Sequence, residues 1–485
     1  MPMNFSLFKN ASKLLLITQL VSTISFAVLY STLVLFMTQG LGFTVTKASA
    51  VMGVFVAFNY GLHLLGGYVG GRLISYRSLF LIGMVLQTIA CLFLSFPSTE
   101  NLYIALALFL SGSGMNVPCI NMMLTQQFEN DDSSRESAFY WNYAGMNIGF
   151  FIGFTVAGVF QQDNSYNILF LLTAITNITA FILLAVGWKT VADRTTPLVK
   201  KVEKIGDHIL LKNNSFAIVI ILLVIALLFL ALQYPLNTNY IVLGIGILLL
   251  AMFIPIAKAQ REKEQKEKVY AYFILACFGL VFWSAYSLAP MALTVFTEAN
   301  VDRHFLGFLM PTQWFQNVNT IVIAIGGMLL PSILIIVRKR FIFSFPMQFC
   351  FSIIFMAIGF LMLIIGILCA NTAGYTAAIW LILSYAFQSI GELLIGPTGY
   401  AMVGKLASPK LQGLMMGSWM VVTGGTSGVI ASLLSMVVAS PDIHATPTQT
   451  NTSYLILFTI LTLVAAIAAF LMYLIIPRIR KLAHI

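Results

Sequence analysis

Apolar runs of about twenty residues, separated by short polar or glycine-containing stretches, recur along the whole chain. A helix rises about 1.5 Å per residue and the hydrocarbon core of a bilayer is about 30 Å thick, so such a run is long enough to cross one. The first six runs fall at 12–38, 47–71, 77–96, 101–125, 137–160 and 167–188, and two more at 215–233 and 238–257. The last six are 270–296, 309–337, 343–369, 374–404, 411–439 and 454–476. The pattern predicts an all-α polytopic membrane protein of 14 spans. Runs 101–125 and 374–404 carry several polar or small residues, as helices lining an interior path do.

Composition agrees with that reading. The chain is 59% hydrophobic and only 9% charged, against roughly a quarter charged in soluble domains, so its outer surface faces lipid. A net charge of +10 raises the question of nucleic acid. The basic residues lie in short loops with no aromatic-interleaved stripe, which argues against it. With both ends in the cytoplasm, 24 of the 26 Lys and Arg, Lys9 among them, fall inside, leaving Lys47 and Arg303 outside. A miscounted span would scramble this alternation. The first run, Leu14 to Met37, is too long for a cleavable leader and no small-residue cleavage site follows. All five cysteines lie in apolar runs without a Cys-x-x-Cys pair, so neither a disulfide framework nor a metal site is expected.

Two basic segments divide the chain: Lys189–Lys212 follows the first six runs and Lys258–Lys268 precedes the last six. The expected organisation is an N-terminal six-helix bundle (1–190), basic linkers with an inserted helical hairpin (191–268) and a C-terminal six-helix bundle (269–485). The hairpin runs contain almost no polar side chains and read as lipid-facing. Bundles built as repeats place their substrate site near the bilayer midplane.

Ionisable groups inside a bilayer are costly and mark function. Of the 16 acidic residues, 15 fall in loops or at span ends, and Glu392 alone lies midway along a run. It is a candidate to bind a substrate amine, carry a proton, or do both, with a structural carboxyl as the bland reading. No Lys or Arg lies deep in any run to pair with it. His63 is the one histidine well inside a run, a candidate proton relay or a side chain bonded to a backbone carbonyl. Tyr30, Tyr60, Tyr143, Asn147, Gln316 and Asn319 offer uncharged donors and acceptors, some of which serve as interhelical glue. Trp283, Trp314 and Trp419 are pocket walls or packing. Gly112 with Gly114, and Gly424, Gly425 and Gly428, permit close helix approach. No nucleophile–base pair or metal cluster is apparent, so no enzymatic activity and no cofactor are expected.

Several motifs together resemble the proton-dependent oligopeptide transporter family of the major facilitator superfamily, as a divergent bacterial-type member. The most specific is Gly391-Glu392-Leu393-Leu394-Ile395-Gly396-Pro397-Thr398-Gly399, continuing through Lys405-Leu406-Ala407 and Gln412-Gly413-Leu414-Met415-Met416-Gly417. Asn142-Tyr143-Ala144-Gly145-Met146-Asn147-Ile148-Gly149, Pro311-Thr312-Gln313-Trp314-Phe315-Gln316-Asn317-Val318-Asn319 and Val281-Phe282-Trp283 are similar to further family segments. The resemblance implies a major facilitator fold and a site for di- or tripeptides. Glu392 and Asn319 match positions holding the peptide amine, and Tyr30, Tyr60 and Tyr143 match or adjoin pocket positions.

The chain departs from the family where the family is charged. A Glu-x-x-Glu-Arg motif appears as Gln19-Leu20-Val21-Ser22-Thr23. A lysine aligns with Val117, an acid with Ser287, the glutamine after it with Leu288, and a loop Asp with Gly71. Losing the set together is coherent, since an unpaired survivor would be an uncompensated buried charge costing about 3–5 kcal/mol. The resemblance therefore implies a plasma (bacterial inner) membrane symporter importing di- or tripeptides, or a peptide-like amine-bearing solute, by alternating access. Protons would couple through Glu392 and possible relay His63; the remaining partner is membrane lipid. Proton-antiport efflux of cationic amphiphiles and a non-transporting substrate sensor are the alternatives.

Overall fold

The computed structural model describes residues 10–128, 134–206, 208–305, 307–340, 343–438 and 445–484; Lys9 lies outside them. Helices α1 (Asn10–Leu35, extended by a π turn Phe36–Gly40), α2 (Val45–Val69), α3 (Tyr76–Leu94), α4 (Thr99–Thr125), α5 (Ser134–Gln162) and α6 (Tyr166–Val186) form the first group. A short helix α7 (Pro197–Ile205) leads to the hairpin α8 (His208–Gln233) and α9 (Pro235–Ala259). Then come α10 (Lys263–Tyr286), α11 (Thr294–Asn300), α12 (Asn317–Arg340), α13 (Phe345–Leu368) and α14 (Ala378–Leu406). The last three are α15 (Gln412–Met420), α16 (Ser427–Val437) and α17 (Pro447–Ala483).

Thirteen helical stretches among the described residues are long and apolar enough to cross a membrane, with α10–α11 and α15–α16 each counting once. α12 occupies the remaining expected run, 309–337, and begins later than hydropathy alone indicates. Pro311 is extended and a tight 3-10 turn, Thr312–Gln316, precedes the helix. Strand among the described residues is limited to two ladders of two-residue strands, Val301–Asp302 with Thr376–Ala377 and His304–Phe305 with Phe308–Leu309. The all-α polytopic reading holds.

Local chemistry sets several helix ends. Ser75 and Ser98 accept the backbone N–H groups of Ser78 and Asn101, capping α3 and α4. Thr446 and Gln449 form a reciprocal capping box at α17. One span is broken: α10 ends at Tyr286, Met291 leaves helical geometry, and α11 resumes at Thr294. The break is held by side chains. Ser435 Oγ accepts the Ala292 N–H at 3.2 Å and the Thr294 hydroxyl donates to the Ala289 carbonyl at 2.7 Å. Interrupted helices persist at membrane depth where such groups re-satisfy the freed backbone.

The chain forms two compact units. One comprises α1 through Thr32 with Phe58–Tyr234, the other Leu33–Ala57 with the chain from Pro235 onward. In the first, α3 and α4 meet at paired glycines: a Cβ on Gly112 would lie 2.4 Å from the Gly83 carbonyl oxygen. Gly114 faces the other way, where a Cβ would meet Leu62 of α2 at 2.4 Å. The Gly112/Gly114 pair thus serves two helix contacts. Leu15, Phe80, Met84, Cys119, Ile120 and Leu184 form part of this unit's core. In the second unit Phe296, Tyr454, Phe458 and Phe360 pack as an aromatic cluster with ring centroids 4.9–5.8 Å apart.

The hairpin differs from its apolar reading. α9 buries Asn239, Gly246, Leu250, Phe253 and Ala257, which share one helix face, while Ile241, Ile245 and Leu248 remain exposed. Asn239 Nδ2 donates to the Ala50 carbonyl of α2 at 3.0 Å and to Ser432 Oγ of α16 at 3.2 Å. The Ser432 hydroxyl in turn donates to the Ser49 carbonyl at 2.7 Å. One amide near the start of α9 thereby ties this helix to two others.

Candidate functional site

In the second unit the site is built from α10, α12 and α14. Glu392 lies near the middle of α14, which is positioned by close contact at the preceding residue. A Cβ on Gly391 would lie 2.8 Å from the Ser352 carbonyl oxygen of α13 and 2.9 Å from the Phe282 ring of α10. Pro397, five residues on, lacks an amide hydrogen and leaves the carbonyl one turn back without its helical partner, a local cause of bending near the carboxylate.

Asn319 of α12 reaches across, its Nδ2 donating to Glu392 Oε2 at 2.7 Å and to Ser389 Oγ at 2.9 Å. The Ser389 hydroxyl is itself anchored, donating to the Tyr385 carbonyl at 2.6 Å. Tyr286, at the broken end of α10, also hydrogen-bonds Glu392. An ionised carboxylate is acceptor-only, with about four lone-pair positions. Two neutral donors occupy part of that capacity. The ion pairs among the described residues are Lys268–Glu264, Arg303–Glu298, His304–Asp302 and His484–Glu267, and Glu392 is in none of them. A partly buried carboxylate with neutral donors and spare acceptor positions is suited to an ammonium group or a proton.

Trp283 packs edge-on against Tyr286 and Phe282, with ring centroids 5.3 Å apart in both pairs, and its Nε1 is buried without a hydrogen-bond partner. Trp283 therefore adjoins the Glu392 cluster through Tyr286. Gln316 Nε2 donates to Thr294 Oγ1 at 3.3 Å. Trp314 stands beside Phe308, 5.7 Å between centroids. Trp419 is a core residue, enclosed by Gly279, Gly399 and Phe349. Ser287 lies 3.4 Å from Ser427 Oγ.

In the first unit Tyr30 lies against Phe26, centroids 5.7 Å apart. Tyr60 meets His63 edge-on at 5.7 Å, and neither His63 ring nitrogen has a hydrogen-bond partner in the structure. Tyr143 is exposed, and its carbonyl accepts Asn147 Nδ2 at 2.9 Å. Gln19 Nε2 donates to Thr23 Oγ1 at 3.0 Å, so the uncharged form of this segment is closed within α1.

Tyr286 and Ser389 are the members of the Glu392 cluster that sequence reasoning passed over. Tyr286 lies one turn beyond Phe282 and just before Pro290, so its place at the end of a broken helix was the available signal. Ser389 lies three residues before Glu392, on the same face of α14.

The fold defines a multi-pass α-helical membrane protein with the major facilitator architecture. The chain belongs to the POT family, whose model matches residues 73–453. It is 24% identical over 456 residues to dipeptide and tripeptide permease B of Salmonella typhimurium, covering 93% of this chain and 91% of that protein. It is 26% identical over 451 residues to dipeptide and tripeptide permease A of Cronobacter turicensis, covering 93% and 88%. The crystal structure of peptide transporter POT in complex with sulfate matches with a TM-score of 0.85 at 21% identity, over 99% of this chain and 97% of that one.

Proposed function

We propose that this protein imports di- or tripeptides, or a peptide-like amine-bearing solute, by proton-coupled alternating access, with Glu392 and Asn319 holding the amine. The plasma (bacterial inner) membrane is its location and both termini are cytoplasmic, as the loop distribution of Lys and Arg supports. Membership of the POT family and likeness to dipeptide and tripeptide permeases support the cargo class. The observation that carries the reading is the Asn319–Glu392 hydrogen bond at 2.7 Å between two spans, with Glu392 in none of the ion pairs among the described residues. Such a carboxylate exchanges a proton or an ammonium without leaving an unpaired cation behind. His63 is assigned a subsidiary part in proton movement as the one histidine well inside an apolar run.

Reconstituted vesicles test this directly. Counterflow of labelled dipeptides and amino-acid amides is expected for the wild type, and an inward proton gradient should drive accumulation. Glu392→Gln should lose gradient-driven uptake. Uptake indifferent to the gradient in both proteins removes proton coupling, and export of cationic dyes in place of exchange turns the reading towards efflux. His63→Asn with unaltered gradient dependence removes His63 from the path.

A further inference from the structure

The charges of the spans point to a ligand class narrower than peptides in general. Every Lys and Arg of the described helices lies within about two turns of a helix end. Glu392 is thus a span-interior anion whose named partners, Asn319 and Tyr286, are both neutral. In the same unit Ser287 faces another neutral group, Ser427 Oγ, at 3.4 Å.

A zwitterion held by its ammonium at Glu392 would bring one carboxylate to the middle of α14, away from the helix ends where the Lys and Arg of the described helices lie. The pair carboxylate–ammonium is electrically neutral by itself; a second carboxylate makes the loaded site net negative in a medium that penalises unpaired charge. Removing or blocking that carboxylate restores neutrality. The surroundings agree with a cation bearing a neutral tail. Trp283 and Tyr286, both half-buried, present aromatic rings, which favour cations over anions.

We propose that the Glu392 site selects primary ammonium ligands that carry no free carboxylate, such as peptide amides, over the corresponding zwitterionic peptides. This rests on the transport reading above and narrows its cargo. The test uses the full-length protein in vesicles at pH 7, with exchange of labelled alanyl-alaninamide competed by unlabelled alanyl-alaninamide or alanyl-alanine. The amide is expected to compete at least about tenfold better, and Glu392→Gln to abolish that preference. Exchange in which alanyl-alanine competes equally or better overturns the selectivity while leaving the transport reading standing. Exchange of neither compound, with vesicle insertion and folding verified by a cooperative melting transition, overturns both.

Discussion

In the first unit, span-interior polar groups turn largely to their own helices: Gln19, Ser22 and Thr23 bond along α1, and Asn147 bonds a carbonyl one turn back. In the second unit, Asn319 links α12 to Glu392 and Ser389 of α14, and Asn239 links α9 to α2 and α16. Tyr272 of α10 likewise reaches Ser418 of α15 at 2.7 Å, and Thr398 of α14 donates to Gln348 of α13 at 2.8 Å. Cross-helix contacts are not absent from the first unit: Ser113 donates to Asn59 at 3.0 Å. The difference is in what a substitution does. A bond along one helix closes locally whatever the neighbours do, whereas a bond between helices fixes their mutual position and fails as a unit.

The largest effect is expected at Asn319. Asn319→Leu removes a charge-assisted bond to Glu392 and the bond to Ser389 together. Hydrogen bonds to charged groups contribute about 1.5–3 kcal/mol, and about 1.4 kcal/mol is a tenfold change, so uptake should fall by roughly tenfold or more. Gln19→Leu, measured in the same vesicles, removes a bond confined to α1 and should leave uptake within about threefold. Equal losses at both positions would break the comparison and give Gln19 a part in the transport cycle.

Next in size is Asn239→Leu, which tests stability. It removes donors to the Ala50 carbonyl and to Ser432, both within packed helix contacts. Leaving buried groups unsatisfied costs about 1–3 kcal/mol each, so the detergent-solubilised protein should melt at a visibly lower temperature. An unchanged melting temperature would mean that the apolar stripe of α9, including Gly246, Leu250 and Phe253, holds the hairpin helix without Asn239.

Most of this architecture is legible in the residues because lipid imposes a length on every span and leaves few exceptions to hide. Glu392 stands out because an acid midway along an apolar run is rare. Asn319 is recovered through its motif. Asn239 is not: a single amide near the start of an apolar run reads as a residue at the membrane surface, and only packing shows it buried against α2 and α16. Tyr286 is lost for a different reason. Tyrosine is common in spans, and only the break after α10 directs this one to Glu392. Trp419 reads equally as pocket wall or packing until Gly279 and Gly399, some 140 and 20 residues away in sequence, are seen against its ring. Long-range partners of small residues leave no local mark.

The smallest effect concerns the first unit's contacts beyond the spans, in the segment between α6 and α7. There Asp193 Oδ2 accepts the Tyr76 N–H at 3.2 Å, Arg77 donates to the Trp188 carbonyl at 2.8 Å, and Arg194 reaches Gln127 at 3.2 Å. Burial pushes the Asp193 carboxyl above its ordinary value, with the Tyr76 N–H and the Arg77 guanidinium opposing the shift. A carboxyl whose folded pKa is raised gives stability that is full below its unfolded value and is lost as pH rises through the folded value. At neutral pH, then, ionised Asp193 weighs slightly against the fold. Asp193→Asn keeps an oxygen for the Tyr76 N–H and removes the ionisation, so its melting temperature at pH 7 should equal or slightly exceed that of the wild type. Any excess should shrink as pH falls into the acid range, where the raised wild-type carboxyl takes up its proton sooner than an ordinary aspartate does. A variant that melts lower at pH 7 than the wild type, and recovers at acid pH, would show that attraction to Arg77 outweighs burial. The first unit would then rely on a cross-segment polar contact as strongly as the second does.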